Sequence, residues 1–247
     1  MTYLMTLSPD FNTKFLPGWF VFNTWLQKKL NQHIHLEIYN DFRTQRDAIT
    51  ADKVDIIYAN PYDASMLVRE RGFVPVTKPI GRADEAIVAT AADGPYRKLE
   101  DLRPGTRIAS TDDPDVHTIG MILLEPADLN VENVLIERYD NYVVIVKKLL
   151  NGEADAGFFL AEMFNELSAS TRSRLKVLMQ SRIYVVHHAL LVGPRFADHQ
   201  EAMRDALTAM TEEPRTARIL SDMGIKGWDV LDDEATEFMI DLMDTLV

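Results

Sequence analysis

Residues 54–64, with the sequence VDIIYANPYDA, decide the fold of this chain. Apart from Asp55, the first five are apolar and rich in β-branched side chains, which is typical of a buried strand. Asn60-Pro61 ends that strand, because proline cannot donate to a β ladder and is tolerated in the first turn of a helix. Residues 64–70 then continue as the helix. This succession is the one with which α/β proteins present backbone N–H groups to a ligand.

Outward from this stretch, the first part of the chain alternates between predicted strands and helices. Apolar residues at three- and four-residue steps indicate helices, and short β-branched runs indicate strands. The order β-α-β-α-β is typical of a doubly wound lobe. The predicted elements around the opening stretch are a strand at 3–7, a helix at 15–30, a strand at 35–39, a helix at 41–51 and an extended segment at 73–80.

The second part repeats this arrangement around Asp155. Strands are expected at 107–110, 131–136 and 154–159, a polar loop at 111–118, and a helix from Ile119 onwards. Residues 181–192 are expected to form a strand that returns to the first part. We therefore predict an α/β fold of two lobes, residues 1–82 plus 185–247 and residues 83–184. Two crossing hinge segments, near 81–86 and 178–186, join them.

The composition excludes several classes of function. The formal net charge of -12 disfavours nucleic acid, whose phosphates are held by clustered Lys and Arg. A small anionic ligand remains compatible with an acidic protein, because local N–H groups and one or two cations can hold it. No apolar run reaches transmembrane length, so we expect no membrane insertion. The absence of cysteine excludes disulfides and thiolate chemistry.

The first residues carry an expectation about the compartment. Residues 1–7 lead directly to Ser8-Pro9-Asp10, without a basic region, a long apolar stretch or a small-residue cleavage site. Taken as the native start, this sequence predicts a cytoplasmic protein. The alternative is a periplasmic protein whose leader has been removed.

Several motifs, taken in order, resemble the PhnD-like phosphate/phosphonate substrate-binding proteins of ABC transporters. That family has the type II periplasmic-binding fold, in which two lobes close on a ligand held in a cleft. The resemblance covers nearly the whole chain and implies a partner, either an ABC permease or a signalling protein. The motifs are Ser8-Pro9, residues 54–62, LEDLRPG at 99–105, Asp113-Pro114 and NGEADAG at 151–157.

The resemblance implies a set of ligand-binding residues in each lobe. In the first lobe, positions that line the family's cleft match Tyr58, Asn60, Tyr62, Phe42, Arg43 and Thr44. In the second lobe, the family's run of hydroxyl residues is His117-Thr118 followed by isoleucine, so only Thr118 keeps a hydroxyl. Tyr142 stands where the family has a histidine. The resemblance further assigns Glu162 as a retained acidic position and His188 as a polar position of the return strand.

Structural roles are the alternatives at these positions. Asn60 and Thr118 suit helix N-caps, and Glu162 suits a solvated helix face. Adjacent His187 and His188 would point to opposite faces of a strand and cannot easily chelate one ion. We therefore predict no metal site and no cofactor. No catalytic motif such as Gly-x-Ser-x-Gly, a Walker loop or His-Glu-x-x-His occurs.

The sequence thus predicts a binding protein, not an enzyme, that closes on a small polar, anionic ligand resembling phosphonate or phosphate. It would act as a sensor or carrier. The first alternative is a transport component whose leader was removed. The second is an enzyme on the same fold, resembling the pyrimidine synthases of thiamine biosynthesis, with His117 and His188 facing one cleft. The third is a protein-interaction module docked through the acidic helix at 234–247.

Overall fold

Residues 2–245 are described by the computed structural model, and they form two compact units. Unit 1 consists of residues 2–82 and 187–245, and unit 2 consists of residues 83–186. The chain therefore passes between the units twice, at 82–83 and at 186–187.

The strands alternate with helices along most of the described chain, as the hydrophobic pattern predicts. The strands are β1 (Thr2–Leu7), β2 (His33–Glu37), β3 (Ile56–Ala59), β4 (Val74–Pro79), β5 (Ala86–Ala91), β6 (Arg107–Ser110), β7 (Leu135–Arg138), β8 (Ala156–Leu160), β9 (Leu175–Gln180), β10 (Ala189–Val192) and β11 (Trp228–Val230). The α-helices are α1 (Leu16–Leu30), α2 (Phe42–Thr50), α3 (Pro61–Arg71), α4 (Pro114–Leu124), α5 (Tyr142–Leu150), α6 (Ala161–Glu166), α7 (Ala169–Arg172), α8 (Gln200–Thr208), α9 (Pro214–Asp222) and α10 (Asp233–Thr245).

The sheet of unit 1 has the strand order β11-β4-β10-β3-β1-β2. Strand β1 pairs in parallel with β2 and β3, whereas β10 runs antiparallel between β3 and β4. Aromatic side chains of α1, with Trp19 and Phe22 buried, cover one face. Ile49 of α2, Leu67 of α3 and Met239 of α10 belong to a second core cluster. The predicted β-α-β-α-β order of this part is confirmed.

The sheet of unit 2 has the strand order β7-β6-β8-β5-β9. Strand β6 pairs in parallel with β7 and β8, and β5 runs antiparallel to β8 and β9. Two clusters fill its core, one with Ile145 and Phe159 and the other with Val116 and Phe158. The carboxyl ends of β6, β7 and β8 therefore lie along one edge of this sheet, the edge at which α/β folds present side chains to ligands.

Asp55, just before β3, fixes the register of the unit 1 sheet. Its carboxylate accepts the amide of Leu4 at 2.8 Å, and its own amide donates to the Leu4 carbonyl at 2.9 Å. Its carbonyl accepts the amide of Gly193 at 2.7 Å, and the guanidinium of Arg195 contacts the carboxylate at 2.9 Å. Burial raises the pKa of Asp55, while the Leu4 amide and the Arg195 charge lower it in part. The paired carboxylate thus joins β1, β3 and the segment after β10.

Asp155 has the same position before β8 in unit 2. Its carboxylate accepts the Arg107 amide at 2.9 Å and both Nε and Nη2 of the Arg107 guanidinium, at 3.0 and 2.9 Å. Burial acts to raise the pKa of Asp155, but the hydrogen bonds and charge of Arg107 outweigh it and hold that pKa below its ordinary value of 3.8. Asp155 and Arg107 together fix β6 beside β8.

Glu85 stabilises the return segment of unit 2. Its buried carboxylate accepts the hydroxyl of Ser181 and the amides of Ile183 and Tyr184, the last two at 3.1 and 2.8 Å. Tyr184 has a φ of 62°, in the left-handed region that a bulky side chain seldom adopts. The carboxylate therefore holds a segment that belongs to no helix or strand.

Several predicted elements differ from the structure. The polar loop expected at 111–118 is largely helix, because Asp113 caps α4 and Pro114 suits its first position. The strand expected at 181–192 is shorter, since only Ala189–Val192 pairs with neighbours. The acidic helix expected at 234–247 corresponds to α10, in which Ile240 is buried whereas Phe238 is exposed. Predicted positions beyond residue 245 lie outside the described residues.

Among residues 2–245, we find no helix with both the length and the apolar character needed to cross a membrane.

The acid dependence of unit 2 stability tests the role of Asp155. A lowered folded-state pKa means that the ionised carboxylate stabilises the fold above its ordinary pKa, and that this contribution is lost as the pH falls through the folded-state value. We expect Asp155→Asn to lower the free energy of unfolding by about 1.5–3 kcal/mol at neutral pH. The difference from wild type should shrink as the pH falls below about 4. Denaturant unfolding at several pH values measures both.

The exposed Asp93→Asn provides the control, because the same chemical change there removes no buried ion pair. A deficit in Asp155→Asn that stays constant down to the lowest pH at which the protein is folded would contradict this account.

Candidate functional site

The turn between β3 and α3 ties together the carboxyl ends of two strands. Asn60 is fully buried and caps α3, its side-chain oxygen accepting the Asp63 amide at 2.7 Å. Its amide nitrogen donates to the hydroxyl of Ser8 at 3.1 Å, and the Ser8 amide donates to the Tyr58 carbonyl at 2.8 Å. Asn60 therefore has the structural capping role, and it also orients the Ser8 hydroxyl.

The ring of Tyr58 lies in an aromatic group of unit 1. It is buried and contacts Trp19, with ring centroids 4.9 Å apart, and it stacks on His188 at 5.0 Å. The Nε2 atom of His188 lies 3.2 Å from a carboxylate oxygen of Asp10. Burial acts to raise the pKa of Asp10, but the His188 charge and the hydrogen bonds from His188 and Ser8 lower it below the ordinary value. Ser8, Asp10, Tyr58, Asn60 and His188 are thus one polar group, which we call the unit 1 cluster.

The start of α2 lies beside α3 through a shared cation. The guanidinium of Arg46 lies 5.4 Å from the ring centre of Phe42 and 5.1 Å from that of Tyr62. Its Nε donates to Asp63 at 2.6 Å. Burial raises the pKa of Asp63, although the hydrogen bond and charge of Arg46 act in the opposite direction. The predicted residues Phe42 and Tyr62 are therefore brought together by Arg46, which the sequence analysis did not select.

The two remaining predicted residues of α2 differ in their surroundings. Thr44 uses both its amide and its hydroxyl to bind the capping carboxylate of Asp41, at 2.7 and 2.9 Å. Arg43 is exposed. Thr44 therefore has a structural role, and Arg43 offers its charge to solvent.

In unit 2, Asp113 caps the start of α4, and Thr118 does not. The side chain of Asp113 accepts the amides of Asp115 and Val116, at 3.0 and 3.1 Å. The alternative that Thr118 is the N-cap is therefore wrong, because Asp113 takes that position and the helix begins at Pro114. His117 and Thr118 both lie inside the helix, Thr118 buried and His117 partly exposed.

His117 lies near a cation at the carboxyl end of β7. Its Nδ1 atom is buried and has no hydrogen-bond partner among the described residues. Burial lowers the pKa of His117, and the nearby charge of Arg138 lowers it further, so the imidazole is neutral at pH 7. Arg138 pairs in register with Ser110, the last residue of β6, whose buried hydroxyl also lacks a partner in the described chain.

We call Ser110, His117 and Arg138, together with Thr118 next to His117 in α4, the unit 2 cluster. The sequence analysis selected only His117 and Thr118 of these. A signal was available for Ser110, which directly follows the apolar pair Ile108-Ala109 at the end of a predicted strand, whereas Arg138 follows Glu137 and carries no local signal. Strand β7 was expected at 131–136, four residues before its true start in the structure. Arg138 therefore fell outside the predicted strand.

The two other predicted residues of unit 2 lie at separate helix starts. Tyr142 is the first residue of α5, and its ring stacks on Phe159 with centroids 5.7 Å apart. Glu162 is in the first turn of α6 and is partly exposed. Tyr142 thus packs largely on the sheet.

Most of this chain matches one protein family. The family described as ABC transporter, phosphonate, periplasmic substrate-binding protein matches residues 5–236. This confirms the resemblance inferred from the motifs. Among curated protein sequences, none matches.

Solved structures of low sequence identity share the fold. PhnD1 from Prochlorococcus marinus (MIT 9301), in complex with methylphosphonate, has a TM-score of 0.80 at 10% identity, covering 100% of this chain and 99% of its own. A binding protein component of an ABC phosphonate transporter from Pseudomonas aeruginosa has a TM-score of 0.76 at 15% identity, covering 99% and 86%. The aliphatic sulphonate binding protein SsuA from Escherichia coli has a TM-score of 0.69 at 13% identity, covering 99% and 87%. The predicted α/β fold of the type II periplasmic-binding class is confirmed.

Substitution of Asn60 tests its double role in unit 1. Asn60→Ala removes both the cap of α3 and the donor to Ser8, leaving buried polar groups without partners. We expect a loss of about 2–3 kcal/mol in the free energy of unfolding, measured by denaturant titration.

Asp41→Ala is the matched control, because it removes an exposed cap of α2 in the same unit. It should cost only about 1 kcal/mol. Equal losses in the two variants would show that the Ser8 contact contributes nothing.

Proposed function

Because the chain belongs to the family of periplasmic substrate-binding proteins of phosphonate ABC transporters, we propose that its ligand is a small molecule bearing a tetrahedral oxyanion. The relatives named above include one solved with methylphosphonate and one described as binding aliphatic sulphonates. Phosphonates and sulfonates share three terminal oxygens that accept hydrogen bonds, so both classes are candidates.

The protein is a binding component that carries a small molecule and works with an ABC permease. We propose further that it does not catalyse a reaction, because the members of its family bind ligands and are not enzymes. The thiamine-pyrimidine-synthase alternative is not favoured by these relatives. The family is periplasmic, which does not support the cytoplasmic expectation, and we propose the periplasm as the place of action.

The unit 2 cluster is the single observation that carries the oxyanion proposal. Arg138 supplies a guanidinium, which binds tetrahedral oxyanions with two parallel hydrogen bonds. The hydroxyls of Ser110 and Thr118 and one N–H of neutral His117 add donors without a second charge. The weak contact of Arg138 with Asp112, 3.9 Å between Nε and Oδ1, leaves that guanidinium able to bind a ligand.

The carboxylate of Asp113 limits which anions suit unit 2. The Asp113 carboxylate already accepts hydrogen bonds from the first amides of α4 and places a negative charge there. The start of this helix is therefore by itself a weak site for an anion. In this proposal the oxyanion is therefore bound by the side chains of Arg138 and His117 and not by the backbone amides at the start of α4. Tyr142 and Glu162 remain candidate contacts, Glu162 for a ligand that also carries an amino group.

In unit 1, the predicted ligand contacts remain proposals as well. His188 and the Asp10 carboxylate form a hydrogen-bonded pair, which can accept a proton-bearing group of a ligand as well as donate to an oxygen. Tyr58, Asn60 and Tyr62 are held by packing and capping, and Phe42 and Thr44 are held by contacts at the start of α2, where Arg43 is exposed. Rigid support of this kind is what a binding residue needs.

Calorimetric titration tests this proposal with methylphosphonate, inorganic phosphate and a short alkanesulfonate as probes. We expect the wild-type protein to bind at least one probe. Arg138→Ala should weaken that binding by about 10- to 100-fold, because a charge-assisted hydrogen bond contributes about 1.5–3 kcal/mol. Thr118→Ala should weaken it by about 5- to 10-fold.

Arg97→Ala is the matched control, since Arg97 is an exposed arginine of the same unit outside the cluster. No heat with any probe would overturn the oxyanion proposal. Wild-type affinity in Arg138→Ala would exclude the unit 2 cluster as the site of recognition.

A further inference from the structure

The solvent-facing side of α1 carries a stripe of apolar residues. The exposed residues of this helix include Pro17, Phe20, Val21, Thr24 and Lys28. Their spacing of i, i+3, i+4, i+7 and i+11 places them on one face. Phe20 and Val21, at its centre, are 49% and 50% exposed. We call these five residues the α1 stripe.

The α1 stripe lies in a region without negative charge in an otherwise acidic protein. Residues 11–36 contain no Asp or Glu, whereas the whole chain has 38. Exposed Lys14 lies in the short turn before α1, and Lys28 ends the stripe, so cations stand at both ends of the apolar centre. Such a surface is complementary to one that places an apolar side chain among carboxylates.

Helix α10 of the same unit presents a surface of that kind. Glu234, Glu237, Phe238 and Asp241 are exposed and have the spacing i, i+3, i+4 and i+7, so they too share one face. The ring of Phe238 is at its centre and is 59% exposed. Residues 227–247 contain no Lys, Arg or His. These four residues, which we call the α10 stripe, match the α1 stripe in spacing and oppose it in charge.

The two stripes lie on opposite faces of the unit 1 sheet. Met5 and Leu7 of β1 belong to the core cluster that contains Trp19 of α1. Leu4, which points to the other face, packs against the cluster that contains Met239 of α10. The sheet therefore separates α1 from α10, and the two stripes of one chain cannot contact each other. Only another molecule can cover either stripe.

We propose that the α1 stripe of one chain binds the α10 stripe of a second copy of this chain. Phe20 and Val21 pack against Phe238 at the centre of the contact, and Lys28 lies near carboxylates such as that of Glu237 at its rim. A second copy fits best because one chain carries both complementary surfaces, so they are always present in equal amounts. The contact goes beyond the proposed function, because none of these residues belongs to the unit 1 or unit 2 cluster.

The geometry determines how association proceeds. Each contact joins two different surfaces, so every added copy leaves one α1 stripe and one α10 stripe uncovered at the ends. The copies therefore form short head-to-tail chains unless a ring closes. One pair of helices buries less area than a standard interface of about 1,600 Å², so we expect a dissociation constant on the order of 0.1 mM. Salt should weaken the contact, because it screens the charges at the rim.

Sedimentation velocity of the full chain tests this contact, at concentrations from about 10 µM to about 1 mM, which bracket the expected constant. The average sedimentation coefficient of the wild type should rise with concentration at low salt, and less so at high salt. Phe20→Glu and Phe238→Lys should each remain monomeric, because each removes the apolar centre of one stripe and places there a charge that the other stripe repels. Both positions are exposed, so the unfolding temperatures should be nearly unchanged.

A mixture of these two variants tests the head-to-tail arrangement. Phe20→Glu keeps an intact α10 stripe, and Phe238→Lys keeps an intact α1 stripe. An equimolar mixture should therefore form one-to-one dimers and grow no further, because the remaining stripes of the dimer are both disabled. A mixture that stays monomeric, or one that grows beyond dimers, would contradict the proposed contact.

Val131→Glu is the matched control, since Val131 is a 64% exposed apolar residue of unit 2 and the substitution adds the same charge as Phe20→Glu. It should associate as the wild type does. A wild type that is monomeric at every concentration would overturn the proposal and leave the stripes to a different protein, such as the permease.

A titration with methylphosphonate keeps this proposal apart from the oxyanion hypothesis. Association is measured without ligand, so failure of the wild type to bind any oxyanion would leave the sedimentation result unaffected. Where the wild type binds methylphosphonate, Phe20→Glu and Phe238→Lys should bind it with the same affinity. Loss of association with unchanged ligand binding supports the contact between copies.

Discussion

A carboxylate placed just before a central strand is the interaction on which each unit depends. Asp55 and Leu4 exchange two hydrogen bonds, and Asp155 and Arg107 exchange two of the same kind. Each aspartate thus joins two parallel strands at their amino ends, where the ladder begins. Burying such a carboxylate is unfavourable unless a cation accompanies it. Arg195 supplies that cation in unit 1, and Arg107 supplies it in unit 2.

The carbonyl of each aspartate extends this arrangement to a third strand. In unit 1 it accepts the Gly193 amide just after β10, and in unit 2 it accepts the hydroxyl of Thr90 in β5. Register set at one end of a strand is set at the other end too, because side chains alternate with a period of two. Ser8 and Asn60 therefore meet at the carboxyl ends of β1 and β3, and Ser110 meets Arg138 at those of β6 and β7.

The two units differ in the charge that they present at these ends. Unit 1 gathers carboxylates, Asp10 and Asp63, each beside a cationic or histidine partner. Unit 2 presents the guanidinium of Arg138 and a neutral imidazole beside buried hydroxyls. Where the sheet of unit 1 ends, at β2, the same alternation leaves histidines outside the core.

The sequence by itself determined the type and order of most elements. A short β-branched run ended by asparagine and proline, such as residues 54–61, favours a buried strand followed by a capped helix, and the structure has this arrangement. The motif order identified the family, and the capping role of Asn60 was foreseen as an alternative. These features depend on neighbours in the chain, so local sequence is sufficient to predict them.

Only the tertiary structure decided which distant groups meet. Nothing local distinguishes Arg138 from other surface arginines, and its relation to Ser110 and His117 arises from the pairing of β7 with β6. The same is true of Arg46 between Phe42 and Tyr62, and of Arg195 on Asp55. The start of α4 at Pro114 rests on Asp113 as its cap, which a reading of residues 111–118 as loop did not recognise. Strand pairing joins residues far apart in the sequence, and the sequence of one strand does not specify which other strand it pairs with.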